Sequence, residues 1–334
     1  LRSPCGEGPI WEARCPFCTG NEEEDLDVLR VPARDPWRVR IVSNRYPALS
    51  VQGQLERQYV GLQRRISGVG YHEVIVESPY HNTCAALQSP EDVSLVFRTF
   101  IERAWQVQTD RRIEYVLFFK NHGRNAGASL VHPHAQMVAL PMVPNEVRVR
   151  ADEARHHFDE VGRCAFCEMI EQELQSKTRL ILETKHFIAF TPYASVAPFH
   201  IWVVPKAHLS SFLHAQDDEL ADLGVVMHQV LRKLYLGLNN PDYNYAIRTA
   251  PVSDLGAAYL HWYITIVPRI SYAAGFEIGS GIYINPSLPE ECAEFLRQVD
   301  DQTPGDLPPD ELPPDDSAPD DAVPPALNGI GISE

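Results

Sequence analysis

The chain has 334 residues, 44% of them hydrophobic and 9% aromatic, and a formal net charge of −16. That length is enough for two domains with their own cores, and no apolar run is long enough to span a bilayer. The acidic balance counts against a nucleic-acid-binding module, because a phosphate backbone needs basic patches.

In chain order, the first marked feature is the pair Cys15-Pro16-Phe17-Cys18. Arg38 to Val42 and Glu73 to Glu77 read as strands. A helix is expected over Glu91 to Val107, with Val93, Val96, Phe97, Phe100, Ile101 and Ala104 on one stripe behind a Ser89-Pro90 start. Tyr115 to Lys120 and Val131 to Leu140 read as two more strands. The loop Asn121 to Ser129 between them has glycines and small residues that let backbone amides approach an anion. Polarity then rises and periodicity is lost over Asn145 to His157. Arg148, Arg150 and Arg155 read there as a solvated linker face.

The second half repeats the pattern. It opens on Cys164-Ala165-Phe166-Cys167, and strands are expected at Phe187 to Thr191, His200 to Val204, Tyr243 to Arg248 and Trp262 to Val267. A helix over Glu219 to Leu236 carries the stripe Leu220, Leu223, Met227, Val230, Leu231 and Leu234. Both halves read as α+β, a mixed and mostly antiparallel sheet with a packed helix, divided as residues 1–150 and 151–300. Residues 301–334 hold nine acidic side chains and no Lys or Arg, which leaves −16 + 9 = −7 on the rest. This Pro-rich tail is expected to be disordered, since it cannot bury enough apolar surface. An acidic docking tail is the functional alternative.

The duplication is clearest in its metal-type residues. Cys15, Cys18, His81 and His132 form one set; Cys164, Cys167, His208 and His261 form the other. The paired histidines are 132 − 81 = 51 and 261 − 208 = 53 residues apart. Two thiolates and two imidazoles suit a tetrahedral zinc ion, and four protein ligands leave no open position, so both sites read as structural. A lone Cys-x-x-Cys could be a redox pair, but two copies with parallel histidines favour metal. Cys5, Cys84 and Cys292 join no pattern. Metal-ligating cysteines suit a reducing compartment, hence the cytoplasm, and no secretory leader is visible.

Gly127-Ala128-Ser129 leads directly into His132-Pro133-His134-Ala135-Gln136. If this segment is extended, His132, His134 and Gln136 share one face. Such a row can hold a metal ligand, a nucleophilic imidazole and a donor to a phosphoryl oxygen. A half-buried strand with core-satisfied histidines is the plain alternative. Aligning His261 with His132 sets Trp262 over Pro133 and Tyr263 over His134. The second copy thus lacks the second imidazole, and one active centre per chain is expected in the first half.

These residues resemble the galactose-1-phosphate uridylyltransferase family, a two-domain branch of the histidine-triad superfamily. The likeness runs to about Val299 through the Cys15 to Glu22, Ser43 to Leu49 and Glu77 to His81 segments. It continues through Asn121-His122-Gly123, His132 to Gln136, Pro205 to His208 and Gly275-Phe276-Glu277. The resemblance implies ping-pong transfer of a nucleoside monophosphate, with His134 attacking the α-phosphorus of a nucleotide sugar and a sugar 1-phosphate as second substrate. It implies that Gln136 donates to a phosphoryl oxygen, that Asn121 and Ser129 hold phosphates, and that Asn44, Arg45 and Tyr46 lie near base and ribose. Phe276 and Glu277 match a segment that approaches the hexose site of the partner subunit, which implies a homodimer.

The family's usual N-terminal Asp-Pro-x-x-x-x-Trp-Val strand is expected to be missing ahead of Leu1. Arg45 and Phe276 stand where bacterial transferases have an acidic residue and a tyrosine. Gly275 to Gly279 and Tyr283 to Pro286 look closer to plant ADP-glucose phosphorylases, in which phosphate is the acceptor. The reading is therefore a nucleotidyltransferase, with uridylyl transfer to a hexose 1-phosphate in galactose metabolism as the first assignment. An adenylyl-transferring phosphorylase is the alternative, and a dinucleotide hydrolase uses the same intermediate. A zinc-stapled adaptor without activity is the alternative of another class.

Overall fold

The computed structural model describes residues 5, 6, 8–34 and 36–301; from residue 302 on, the segment expected to be a disordered tail lies outside the described residues. No helix among them is long and apolar enough to cross a membrane.

The first half forms β1 (Asp27–Val31), β2 (Val39–Ser43), the hairpin of β3 (Arg57–Val60) and β4 (Gln63–Ile66), and β5 (Tyr71–Val76). Helix α1 (Pro90–Val107), β6 (Tyr115–His122) and β7 (His134–Leu140) complete it. Helices α2 (Asn145–Val161) and α3 (Ala165–Ser176) lead to β8 (Leu180–Glu183), β9 (Phe187–Phe190) and β10 (Ile201–Pro205). Then come α4 (Asp217–Gly237), β11 (Tyr243–Arg248), β12 (Tyr263–Pro268), α5 (Gly275–Ser280) and α6 (Pro289–Gln298).

Ten strands make one sheet in the order β1-β2-β5-β7-β6-β11-β12-β10-β9-β8, five from each half. Its strand pairs are antiparallel. Among the described residues, the parallel part of the expected mixed sheet shrinks to one isolated bridge, Ser50 with Val69. The order is the same from either edge inward, so a local twofold axis passes between β6 and β11. There Asn121 pairs with Asn244 and Phe118 with Ile247.

Alternation gives this sheet two unlike faces. Ala135, Met137 and Ala139 of β7 are fully buried in one core with Phe97 and Phe100 of α1, while His134 and Gln136 take the opposite face. In β11, Tyr243, Tyr245 and Ile247 join the same core, and Asn244, Ala246 and Arg248 alternate with them. The helices that cover the core face form where their stripes predict. Ser89 caps α1 by accepting from the Asp92 N–H at 3.1 Å, and of its predicted stripe only Ile101 is left partly exposed. All six predicted stripe residues of α4 are buried. Each large apolar side chain so buried contributes about 2 kcal/mol before entropy is counted. The two helices cross closely: a Cβ at Gly224 would stand 2.3 Å from the Pro90 carbonyl oxygen.

Two segments differ from their reading. The expected linker is the helix α2, and a division at residue 150 falls inside it. Only Ala151 of α2 is buried, so its sequence carries no apolar stripe by which to recognise it. Cys5 and Cys84, which join no pattern in the sequence, form a disulfide, and Cys292 is buried on α6.

Candidate active site and metal centres

Each Cys/His set gathers as its spacing predicts. The ligand atoms of Cys15, Cys18, His81 and His132 lie within 4.8 Å of one another, and so do those of Cys164, Cys167, His208 and His261. Cys18 Sγ is 3.4 Å from His81 Nδ1 and 3.6 Å from His132 Nδ1. Cys167 Sγ is 3.3 Å from His208 Nδ1 and 3.8 Å from His261 Nδ1. In both sets the last histidine is oriented from behind. His132 Nε2–H donates to the Ser78 carbonyl at 2.8 Å, and His261 Nε2–H to the Pro205 carbonyl at 3.0 Å. That arrangement turns each Nδ1 lone pair toward the thiols, as a metal-bound imidazole requires. Burial pushes the Cys18 thiol up to about 12 and the Cys167 thiol up to about 11. Thiolates at these positions call for a cation, and both groups could hold a metal ion.

His132 stands in the bend before β7, and the strand begins only at His134. The row on one strand face is therefore His134 and Gln136, with His132 turned into the Cys/His group. Pro133, which has no N–H for a ladder, marks the change. His134 Nδ1–H donates to the His132 carbonyl at 2.8 Å, which leaves the Nε2 lone pair free. Burial, helped by nearby Lys120, lowers the ring's pKa to about 4. It is neutral near pH 7, as a nucleophile must be.

Several further residues hold this geometry. Lys120 ion-pairs with Glu77 in the core and donates to the His134 carbonyl at 3.2 Å, while the Glu77 N–H donates to the Pro133 carbonyl at 3.0 Å. Phe17, between the first two cysteines, packs on both rings, 5.9 Å from His132 and 5.5 Å from His134 by centroid. His72 accepts at Nδ1 from the Ala48 N–H at 3.0 Å, so its Nε2–H donates to Gln136 Oε1 at 2.9 Å. With its oxygen so engaged, Gln136 keeps its NH2 for an incoming acceptor. Only the register of β5 on β7 places His72 there, so a linear reading has no sign of it.

The remaining predicted residues are placed unevenly. Asn121 Oδ1 accepts from Asn244 Nδ2–H at 2.8 Å, which leaves its own NH2 to donate. Ser129 is exposed in the loop after Gly123 and Gly127. Gly123 is needed there: its φ is +84°, and a Cβ would collide with the Asp242 carboxylate that accepts the Asn125 N–H. Asn44 Oδ1 accepts from the Tyr46 N–H at 2.8 Å, Arg45 pairs with Glu23 at 2.7 Å, and Tyr46 is 84% exposed. Phe276 and Glu277 lie on α5, where Glu277 accepts from the Ala274 N–H at 2.9 Å. Among the described residues no hydrogen bond or ion pair joins Phe276 or Glu277 to the His134 cluster, whereas Asn44 Nδ2 lies 3.1 Å from His72 Nε2.

Known proteins resemble this chain over most of its length. The family described as "Domain of unknown function (DUF4921)" matches residues 78–301. The ADP-glucose phosphorylase of Arabidopsis thaliana is 41% identical over 304 residues, 89% of this chain and 85% of the relative. A galactose-1-phosphate uridylyltransferase of Thermotoga maritima is 27% identical over 301 residues, 86% of this chain and 90% of its own. A crystal structure of the Arabidopsis thaliana ADP-glucose phosphorylase with bound ADP-glucose superposes with a TM-score of 0.77 at 37% identity, covering 88% and 92% of the two chains.

Proposed function

The chain belongs to the DUF4921 family, with homologues that are nucleotidyltransferase-type enzymes, and from that premise we propose that it transfers a nucleoside monophosphate through His134. The observation that carries this is the bond from His134 Nδ1–H to the His132 carbonyl, which frees Nε2 beside the Gln136 amide. The Nε2 lone pair forms a bond to the α-phosphorus of a nucleotide sugar as the bond to the departing sugar 1-phosphate breaks. The His132 carbonyl stabilises the positive charge that develops on the ring, and the Gln136 NH2 faces the charge growing on a non-bridging oxygen. An acceptor phosphate oxygen then takes the nucleotide, breaking the N–P bond and returning His134 neutral.

In this reading Asn121 and Ser129 hold phosphates, and Asn44, Arg45 and Tyr46 surround base and ribose. Phe276 and Glu277 reach across a homodimer to the hexose end of the other subunit's site. Zinc fills both Cys/His groups, ties distant segments together and holds His132, whose carbonyl orients the nucleophile. The chain divides near residue 150 into two histidine-triad-like domains. The four metal-ligating thiols suit the cytoplasm, and in a reducing compartment Cys5 and Cys84 would stand as free thiols.

Uridylyl transfer between UDP-glucose and a hexose 1-phosphate is supported by the 27% relative, and adenylyl transfer from ADP-glucose to phosphate by the 41% relative. Incubation with UDP-glucose and with ADP-glucose separately, followed by mass spectrometry, distinguishes them. Uridylyl on His134 supports the first and adenylyl alone the second; no label on His134 from either donor rejects the covalent route.

A further inference from the structure

The local twofold that orders the sheet also repeats the surroundings of His134, and the repeat encloses a cavity of about 670 Å³ between the second half of the sheet and α2. Register fixes the correspondence. Phe119 pairs with Gln136 as Ala246 pairs with Thr265, so Thr265 takes the place of Gln136, Tyr263 that of His134, and Arg248 that of Asn121. Val74 pairs with Gln136 as Trp202 pairs with Thr265, which sets His200 in the place of His72. The hydrogen bonds repeat as well. His200 Nε2 is 2.8 Å from Thr265 Oγ1, and its Nδ1 accepts from the Val196 N–H at 3.3 Å. Phe166 packs on His261 and Tyr263 as Phe17 packs on His132 and His134.

The differences favour holding a ligand over reacting with one. Tyr263 offers a phenol in place of the imidazole of His134. Arg248 brings a full positive charge where the first half has an amide. Its Nε is buried without a hydrogen-bond partner, and no carboxylate pairs with it among the described residues. Arg150 of α2 lines the same cavity, held at 3.7 Å by Glu146. Burial and the Arg150 charge both lower the Arg248 pKa, a repulsion that an anion between the two guanidinium groups would relieve. Phe166, Trp202 and Tyr263 form a ring cluster beside them, with centroids 4.8 to 5.6 Å apart. A cavity of this size, largely apolar with a few convergent polar groups, has the dimensions of a small-ligand site.

We propose that this cavity is a second, non-covalent site for a nucleoside phosphate, with its phosphate on Arg248 and Arg150 and its base against the Phe166–Trp202–Tyr263 cluster. The inference goes beyond the transfer reaction and rests on it only in treating Asn121 as a phosphate-side residue. Equilibrium dialysis tests it on the full metal-loaded chain carrying His134→Gly, so that nothing is held covalently, with AMP and with UMP as probes. The expected result is two nucleotides per chain for at least one probe, falling to one with Arg248→Met. Arg150→Ala, on an exposed position of α2, should weaken the second site roughly tenfold. One nucleotide per chain that neither substitution affects would overturn the proposal. So would displacement by inorganic phosphate as effective as by the nucleotide itself. If only the transfer reading is wrong, the His134→Gly chain still binds a nucleotide that Arg248→Met removes. If only this inference is wrong, the bound nucleotide ignores Arg248.

Discussion

His134 is held by neighbours that act on its backbone and on the residue beside it. His132, from the first Cys/His group, supplies the carbonyl that accepts the Nδ1–H hydrogen bond, and Lys120 fixes the carbonyl of His134 itself. His134→Gly should abolish turnover while metal analysis still finds an ion at both Cys/His groups. Loss of metal in that variant would mean that ligand and nucleophile are assigned in the wrong order. In the proposed reaction His72 is a positioning residue, acting through the Gln136 amide that it holds at 2.9 Å. His72→Ala should lower kcat about 10- to 100-fold with a smaller change in KM, and His72→Gln, which keeps a donor, should recover part of the loss. Equal losses in both variants would point to a structural role. His134 and Gln136 are legible in the sequence because their alternation and the missing imidazole of the second copy can be counted. His72 is not, because its partner is chosen by strand register.

The elements that sequence shows best are those that bury a regular stripe. Helices α1 and α4 are found within two residues of their observed ends, because apolar residues recur at helical spacing and polar ones separate them. Helix α2 is hidden for the opposite reason: one buried alanine leaves no pattern, and its helix is held by local bonds and a cap at Gly162. The β3–β4 hairpin, exposed along nearly all its length, is equally unmarked. Where α1 meets α4, the close approach at Gly224 makes a firm prediction. Gly224→Val should destabilise the fold by about 1–3 kcal/mol in urea unfolding, since two helix backbones must separate to admit the side chain. Unchanged stability would show that the helices are less tightly joined.

Across the whole molecule, the two metal groups should be unequal in effect. Cys164→Ser should lower thermal stability, read by Trp202 and Trp262 fluorescence, while ADP-glucose or UDP-glucose still labels His134. Cys15→Ser should cost labelling as well, because Phe17 and His132 connect the first group to His134. Full labelling with Cys15→Ser would disconnect the two. The single sheet has one more consequence. Its halves meet along β6 and β11 by ordinary ladder hydrogen bonds and along α1 and α4 by side-chain packing, whereas the covalent link between them runs through the polar α2. A chain cut in α2 and expressed as two pieces should therefore reassemble into one body when both are present. Either fragment made by itself would bare a full-length strand rim and an oily helix flank, and should come out of solution.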